Sequence, residues 1–351
     1  MARRIVGVDI GFNILRAAQV RFQRGDHLPI VEKLAERRLP PGVVEYGDVL
    51  DGPALVRELA EFWREAGFKS KHVALAASNL HVFAREMAVP VMSAQRIRES
   101  LPFMMEGILP VAPDQLYLDF YPVEQHVDET GQSYMGLAVA AERKSIDDMT
   151  KCVTDAGLRP MQVDFAPFAL MRARGLASKQ DEVCAYIDIG AGSSIVIIAR
   201  GQVPLFVRII PNGGNDIDDA LVFNLKVTND EAAKIKMDMK EKPKSGDDLH
   251  AWDLIQAAST DLLSAVKSTF DYFAQSHAKE PIPLTQVVLS GGGAHTPGIT
   301  EAIAAISALP VEVDGNVSGV EWAHNLQKAK HKTSDMALAI GLALGRGQDG
   351  Y

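Results

Sequence analysis

Two aspartates each close an apolar stretch and stand two residues before a glycine, in Val8-Asp9-Ile10-Gly11 and in Ile187-Asp188-Ile189-Gly190. A carboxylate at the end of a buried strand can face a hard cation, and the glycine lets backbone N–H groups approach an anion. Together they suit a metal-chelated phosphate. In both copies a second apolar run follows, Ile14 to Val20 and Ile195 to Ala199, so each Asp-Ile-Gly is the bend of a β-hairpin. Two such hairpins point to two lobes facing one nucleotide.

Two further glycine-rich bends accompany them. Ser290-Gly291-Gly292-Gly293-Ala294 follows the apolar Val287-Val288-Leu289 and precedes a helix to Leu309, which gathers backbone amides and a helix N-terminus at one point. Asn212-Gly213-Gly214-Asn215-Asp216 opens a helix through Leu225. Each bend alone has an ordinary structural explanation, because aspartate caps turns and isolated glycine motifs are weak signals. Their ordered recurrence exceeds what turn formation requires.

Composition bounds the rest. The chain has 351 residues, 47% hydrophobic and 23% charged, which suits a globular protein with two or more domains. A formal net charge of -9 argues against a nucleic-acid surface, which needs a basic excess. No apolar run approaches the roughly 20 residues of a membrane helix, and Met1-Ala2-Arg3-Arg4 leads directly into a strand, so no signal peptide is expected. Cys152 and Cys184 are too few for a disulfide framework, and no Cys/His cluster has zinc spacing, which fits a reducing cytosol.

The positioning elements read as follows. The opening hairpin continues through Gly25-Asp26-His27 to a third strand, Pro29 to Leu39. A helix starts near Asp51 with Pro53 in its first turn and buries Leu55, Leu59, Phe62 and Trp63, and a short strand spans Val73 to Ala77. From 82 to 164 the pattern changes to a small α+β insert: a strand from Val82, a helix from Ser93 that Pro102 should kink or interrupt, a proline-rich corner at Leu109 to Pro113, a strand to Ala141, and a helix ended by Gly157. The second lobe begins at 182. Within it Glu231 to Met239 reads as a helix, Lys240 to Asp247 as a polar linker, and Trp252 to Ala278 as one long helix; a final helix spans Met336 to Leu344. The histidines form no triad spacing, and Ser193 and Ser290 lack a nucleophile elbow, so a hydrolase is disfavoured. Met104, Met105, Ile108 and Leu109 read first as a core-facing stripe and second as a partner surface.

These motifs resemble the actin, Hsp70 and sugar-kinase ATPase superfamily, and within it the PilM-type type IV pilus assembly proteins, relatives of FtsA. Val8 to Arg16 is similar to phosphate-1, Ile187 to Ser194 to phosphate-2, Pro211 to Asp216 to the first connecting helix, Leu289 to Gly298 to the adenosine motif, and Asp335 to Gly345 to the second connecting helix. Leu109 to Phe120 and the pair Glu231 and Lys234 favour the PilM branch. The resemblance implies an α/β, two-lobed actin-like ATPase (ribonuclease H-like) fold. Residues 1–81 and 165–181 would form the first lobe, 82–164 an inserted SHS2-like subdomain, 182–334 the second lobe with 230–280 on its adenosine side, and 335–351 a helix closing on the first lobe.

It further implies ATP or ADP with Mg²⁺ as cofactors. Asp9 and Asp188 would face the metal directly or through water; Gly11, Asn13, Gly190, Gly192 and Ser193 would cradle phosphate oxygens, with Arg16 nearby where the family has lysine. Gly213 and Gly214 would lie near ribose and phosphates, Glu231 and Lys234 near adenosine, and Gly291, Gly292 and Gly293 under the base and the α-phosphate. Phe12 replaces the serine or threonine often found after the first Asp-x-Gly, so hydrolysis should be slow or absent. The implied function is an ATP-binding scaffold of pilus assembly that docks the cytoplasmic tail of a PilN-type membrane protein in a groove beside the insert, with other assembly components and self-association left open. The chain would be cytoplasmic and reach the inner face of the membrane through partners, because its end at Gly347 to Tyr351 carries no amphipathic membrane helix. The alternative is a sugar or small-metabolite kinase on the same fold, for which no catalytic carboxylate is clearly placed.

Overall fold

The computed structural model describes residues 3–23, 27–109, 111–128, 131–174, 182–239, 241–313, 317–327 and 334–345. The expected Gly25-Asp26 bend, Pro110 of the proline-rich corner and the chain end at 346–351 lie outside the described residues. In chain order the elements are β1 (Arg3–Ile10), β2 (Ile14–Phe22), β3 (Ile30–Arg38), β4 (Val44–Glu45), β5 (Asp48–Val49), α1 (Gly52–Ala66), β6 (His72–Ala77), β7 (Val82–Pro90), α2 (Ala94–Met104), β8 (Leu116–Asp128), β9 (Gly131–Glu142), α3 (Arg143–Asp155), β10 (Arg159–Phe165) and α4 (Ala166–Arg174). There follow β11 (Val183–Ile189), β12 (Ser194–Arg200), β13 (Val203–Ile210), α5 (Gly214–Leu225), α6 (Asn229–Asp238), α7 (Asp247–Ala258), α8 (Thr260–Ser276), β14 (Gln286–Ser290), α9 (Ile299–Ser307), β15 (Val311–Val313), β16 (Glu321–Trp322) and α10 (Ala337–Leu344).

The chain divides into two compact units: Met1–Ala177, Gln202–Val207 and Asn316–Tyr351 in the first, Ser178–Gly201 and Arg208–Gly315 in the second. The first unit holds a six-stranded sheet ordered β10-β6-β1-β2-β3-β16. β1 is central and runs parallel to β6 and antiparallel to β2, and Ile5, Val6, Val8 and Ile10 are buried, as a strand covered on both faces requires. α10 is apolar on every side and buried throughout, the pattern of a helix enclosed by its neighbours. It packs on β1, β2 and α4. Two glycines set those distances: a Cβ on Gly7 would lie 1.9 Å from the Ala339 carbonyl oxygen, and one on Gly341 would lie 1.8 Å from that of Ala169.

α1 forms as its residues dictate. The Asp51 carboxylate accepts from the Ala54 N–H at 2.9 Å, Pro53 occupies the first turn, and Gly67 ends the helix in the left-handed region. Beside it, the Glu32 carboxylate on β3 accepts from Arg4, Gln19 and Arg21.

Within 82–164, the strands β7, β8 and β9 form a separate antiparallel sheet ordered β7-β9-β8. α2 covers it over a core of Val89, Ile97, Leu101, Met105, Phe120 and Ala138, so Met105 belongs to the core as the stripe reading expected. α2 runs through Pro102 and ends at Met104, closed by the Met105 N–H to the Leu101 carbonyl. The interruption expected at Pro102 becomes a helix that stops within the next turn. β10 pairs parallel with β6 and so lies in the six-stranded sheet.

The second unit is built on a five-stranded sheet ordered β13-β12-β11-β14-β15. The single helix expected from Trp252 to Ala278 is two, α7 and α8, broken at Ser259. The Ser259 hydroxyl donates to the Ile255 carbonyl and Thr260 to that of Gln256, back-bonding that bends helices. α7 also starts at Asp247, inside the expected linker, because Asp247 and Asp248 complement a helix N-terminus.

Two measurements test this packing. Gly7→Ala and Gly341→Ala should each lower stability by about 1–3 kcal/mol or more through overpacking, read as a lower urea midpoint; unchanged midpoints would refute the close approach of α10. Burial pushes the Glu32 carboxyl up, but hydrogen bonds from Arg4, Arg21 and Gln19 outweigh it and hold it below the usual range. A carboxyl depressed in the folded state stabilises above its unfolded value and loses that contribution as pH falls through the folded one. Glu32→Gln should therefore cost about 1 kcal/mol at neutral pH, the gap from wild type closing below about pH 4; a pH-independent gap would count against the assignment.

Candidate functional site

The two Asp-Ile-Gly hairpins fold alike. In the first unit the Gly11 N–H donates to the Ile14 carbonyl at 2.9 Å, and in the second the Gly190 N–H donates to the Ser193 carbonyl at 3.0 Å. Asp9 is the next-to-last residue of β1, opposite Arg16 on β2, and Asp188 the next-to-last of β11, opposite Ile195 on β12.

In the first unit the Asn13 carbonyl accepts from the Leu39 N–H, which ties the turn to the end of β3. Arg16 lies 3.7 Å from Glu36 and 3.8 Å from Asp335, in the turn before α10. The Phe12 ring packs edge-on against Tyr46, with centroids 5.6 Å apart.

In the second unit three backbone segments converge on the end of β11. The Gly214 N–H donates to the Gly190 carbonyl at 2.9 Å and the Asn215 N–H to that of Ala191 at 2.8 Å, which seats the start of α5 on the Asp188 turn. From β14 the Ser290 hydroxyl donates to Asp188 Oδ1 at 2.6 Å. The approach is backbone to backbone: a Cβ on Gly213 would lie 2.4 Å from the Ala191 oxygen, one on Gly291 2.4 Å from the Ile189 oxygen, and one on Gly293 2.2 Å from Ile189 Cγ2. A Cβ on Gly292 would meet nothing within 4 Å, so that glycine borders open space. Asp188, Gly190, Gly192, Ser193, Gly213, Gly214 and Gly291 to Gly293 are thus brought to one strand end, beside the N-terminus of a 12-residue helix.

Glu231 and Lys234 sit differently. Glu231 accepts from the Thr228 backbone N–H and hydroxyl, a capping box at the start of α6 that holds its carboxyl below the usual range. Lys234 is exposed. The α6 side chain that reaches the glycine turn is Lys236, which is buried, donates to the Gly214 carbonyl at 2.8 Å and lies 2.7 Å from Asp218. Burial pushes the Asp218 carboxyl up even beside this lysine. Sequence reasoning missed Lys236; its signal is the four-residue spacing from Ala232, which puts it on the buried face of α6.

Among the described residues no three His, Cys, Asp or Glu side chains gather as a metal-binding group. Mg²⁺ takes one or two carboxylates and fills its octahedron with water and phosphate oxygens, and in the second unit the Asp188 carboxylate, held by Ser290, stands beside the turn amides.

A second feature lies wholly in the first unit. A cavity of about 980 Å³ is walled by Met92, Ile97 and Tyr121 on the insert side and by Phe165, Phe168 and Met171 on the side of the six-stranded sheet. The Tyr121 and Phe168 rings touch at a tilt of 46°, with centroids 4.8 Å apart. Arg172 pairs with Asp164 and donates to the Gly341 carbonyl, while Tyr117 donates to Asp147. Strands β10 and β8 stand at edges of their sheets and both contribute to the walls.

Comparison with known proteins follows this geometry. A chain of the PilM-PilN type IV pilus biogenesis complex is 25% identical, with a TM-score of 0.84 over 99% of each chain. MreB5 of Spiroplasma citri bound to AMPPNP, at 11% identity and a TM-score of 0.53 over 97% of this chain and 94% of that one, shares the fold. The cell division protein FtsA of Streptococcus pneumoniae is 23% identical over 89% of this chain and 76% of its own length. The match to FtsA of Bacillus subtilis, also 23% identical, takes in 37% of this chain and 32% of that protein. The fold is therefore the two-lobed actin-like α/β fold. The family model for the type IV pilus assembly protein PilM matches residues 7–347, and the chain belongs to that family.

Proposed function

We propose that this protein binds an adenine nucleotide with Mg²⁺ on its Asp-Ile-Gly and glycine-rich turns, and docks the cytoplasmic tail of a PilN-type membrane protein in the cavity of the first unit. The observation that carries the docking is the cavity itself: aromatic and apolar walls flanked by two sheet edges. An extended peptide bound there would bury side chains against Tyr121 and Phe168 and add main-chain hydrogen bonds along β8 or β10. Pro122 and the bulge beside it fit an edge position for β8, since proline cannot donate to a ladder. The solved complex of a relative with PilN supports this choice of partner. No described helix is long and apolar enough to cross a membrane, so the protein would reach the inner face of the membrane from the cytoplasm through that partner.

For the nucleotide, Asp188, held by Ser290, and Asp9 would supply carboxylate oxygens to Mg²⁺ or its waters. The amides of the Gly190 to Ser193 turn and the start of α5 would neutralise phosphate charge. Bound Mg²⁺ would offset charge on the phosphate oxygens. Hydrolysis is slow in this reading, because Phe12 brings a ring committed to Tyr46 where a hydroxyl would touch phosphate. The crystallised relative of this fold bound to AMPPNP supports nucleotide binding.

Asp9→Ala and Asp188→Ala should each weaken Mg²⁺-dependent ATP binding at least about tenfold by calorimetry, a change of about 1.4 kcal/mol; unchanged affinity in both would remove the metal assignment. Tyr121→Ala and Phe168→Ala should reduce capture of the PilN-type tail peptide about tenfold or more while leaving ATP affinity within about twofold of wild type. Undiminished capture in both would place the docking site elsewhere.

A further inference from the structure

The β4–β5 hairpin touches both proposed sites. Its two turn residues have positive φ, +48° at Tyr46 and +86° at Gly47, the form of a tight two-residue hairpin. Glycine adopts that region freely, whereas a tyrosine in it is an outlier that its surroundings must hold. On one side the Tyr46 ring packs on Phe12, which lies between Gly11 and Asn13 of the Asp9 turn.

On the other side the hairpin grips the insert where the chain enters its three-stranded sheet before β7 and where it leaves that sheet after β9. Gly47 lies against Asn79: a Cβ there would be 2.8 Å from Asn79 Cβ and 2.9 Å from its Cα. Asp48 accepts from Asn79 Nδ2 at 2.9 Å and from the Ser145 hydroxyl, and its Oδ2 lies 3.3 Å from His81 Nε2. His81 Nδ1 in turn lies 3.6 Å from Glu142. Asn79 and His81 precede β7, whereas Glu142 ends β9 and Ser145 sits in the first turn of α3. Ala141 and Ile146, immediate neighbours of Glu142 and Ser145, line the docking cavity together with Asp147.

We infer that the β4–β5 hairpin couples the phosphate turn to the docking cavity, so that nucleotide on the Asp9 turn changes peptide affinity through Phe12, Tyr46 and Asp48. This rests on the function proposed above. A displacement of the Asp9 turn moves the Phe12 ring, the Tyr46 ring follows its partner, and Asp48 transmits the shift to both crossings of the insert. Coupling of this kind is reciprocal: nucleotide changes peptide affinity by the same factor as peptide changes nucleotide affinity.

The test uses the full chain, a fluorescent peptide of the PilN-type tail read by anisotropy, and Mg²⁺·ATP or Mg²⁺·ADP read by calorimetry, each ligand alone and with the other saturating. Wild type should show a factor of about five or more for at least one nucleotide, equal in both directions. In Gly47→Ala and Tyr46→Gly the factor should fall to within about twofold of unity, with each ligand alone binding as in wild type. Should the strained Gly47→Ala fail to fold by circular dichroism, Tyr46→Gly, which relaxes the backbone and removes the ring, carries the comparison. Hydrogen exchange adds a readout that a merely structural hairpin would not move: Mg²⁺·ATP alone should alter protection at 79–83 and 142–146 in wild type and not in Tyr46→Gly. Independent binding of both ligands to wild type, or full coupling in the folded variants, overturns this inference and leaves the proposed function standing. Failure of either ligand to bind alone overturns both.

Discussion

The contact on which the second unit's candidate site depends is backbone against backbone at the end of β11. The Asp188 turn, the start of α5 and the turn after β14 meet there at distances that leave no room for side chains on Gly213, Gly291 or Gly293. Peptide N–H and C=O groups at such a junction must be paired or face water or a ligand. The pairs formed, from Gly214 to Gly190 and from Asn215 to Ala191, hold the turns together, and α5 begins directly from them. An anion bound there would meet a helix N-terminus without any long side chain having to be ordered, and the Asp188 carboxylate would face it through a cation.

Lys236 supports that junction from behind. Its ammonium is buried between the Gly214 carbonyl and Asp218, and burial of the acid works against its ionisation. A charge so placed is costly unless both partners remain in position, so the pair links α6 to α5 more stringently than an apolar contact would. The first unit reaches a similar economy by other means: small residues let α10 lie directly on β1 and α4, beneath the strand that carries Asp9.

The insert has its own core and its own sheet, and it leaves a cavity against the six-stranded sheet. Among the described residues, β8 and β10 stand at the edges of their sheets and line that cavity, a position that proteins usually protect. The β4–β5 hairpin is the short element that meets Phe12 on one side and Asn79, His81 and Ser145 on the other, with Tyr46 at positive φ in its two-residue turn.

Much of this was legible before any coordinates. Strand alternation, the Asp51 cap with Pro53, and the repeated Asp-Ile-Gly are local, and local chemistry determines hairpins, caps and turns. α4 escaped notice because Ala166 to Arg174 is apolar on nearly all faces and shows no helical period. Helix α6 was recognised, but the face of it that meets the glycine turn was not: Glu231 is spent on its own cap, and Lys236 reaches Gly214 only because α6 packs on α5. The cavity and the Asp48, His81 and Glu142 contacts join residues far apart in the chain, which no window of sequence relates. By itself the sequence determined the two Asp-Ile-Gly turns and most of the order of the elements, because glycine and aspartate act on their immediate neighbours. Tertiary structure alone decided which lysine reaches the turn, where a peptide can lie and what the β4–β5 hairpin touches, because those depend on how closely separate elements pack.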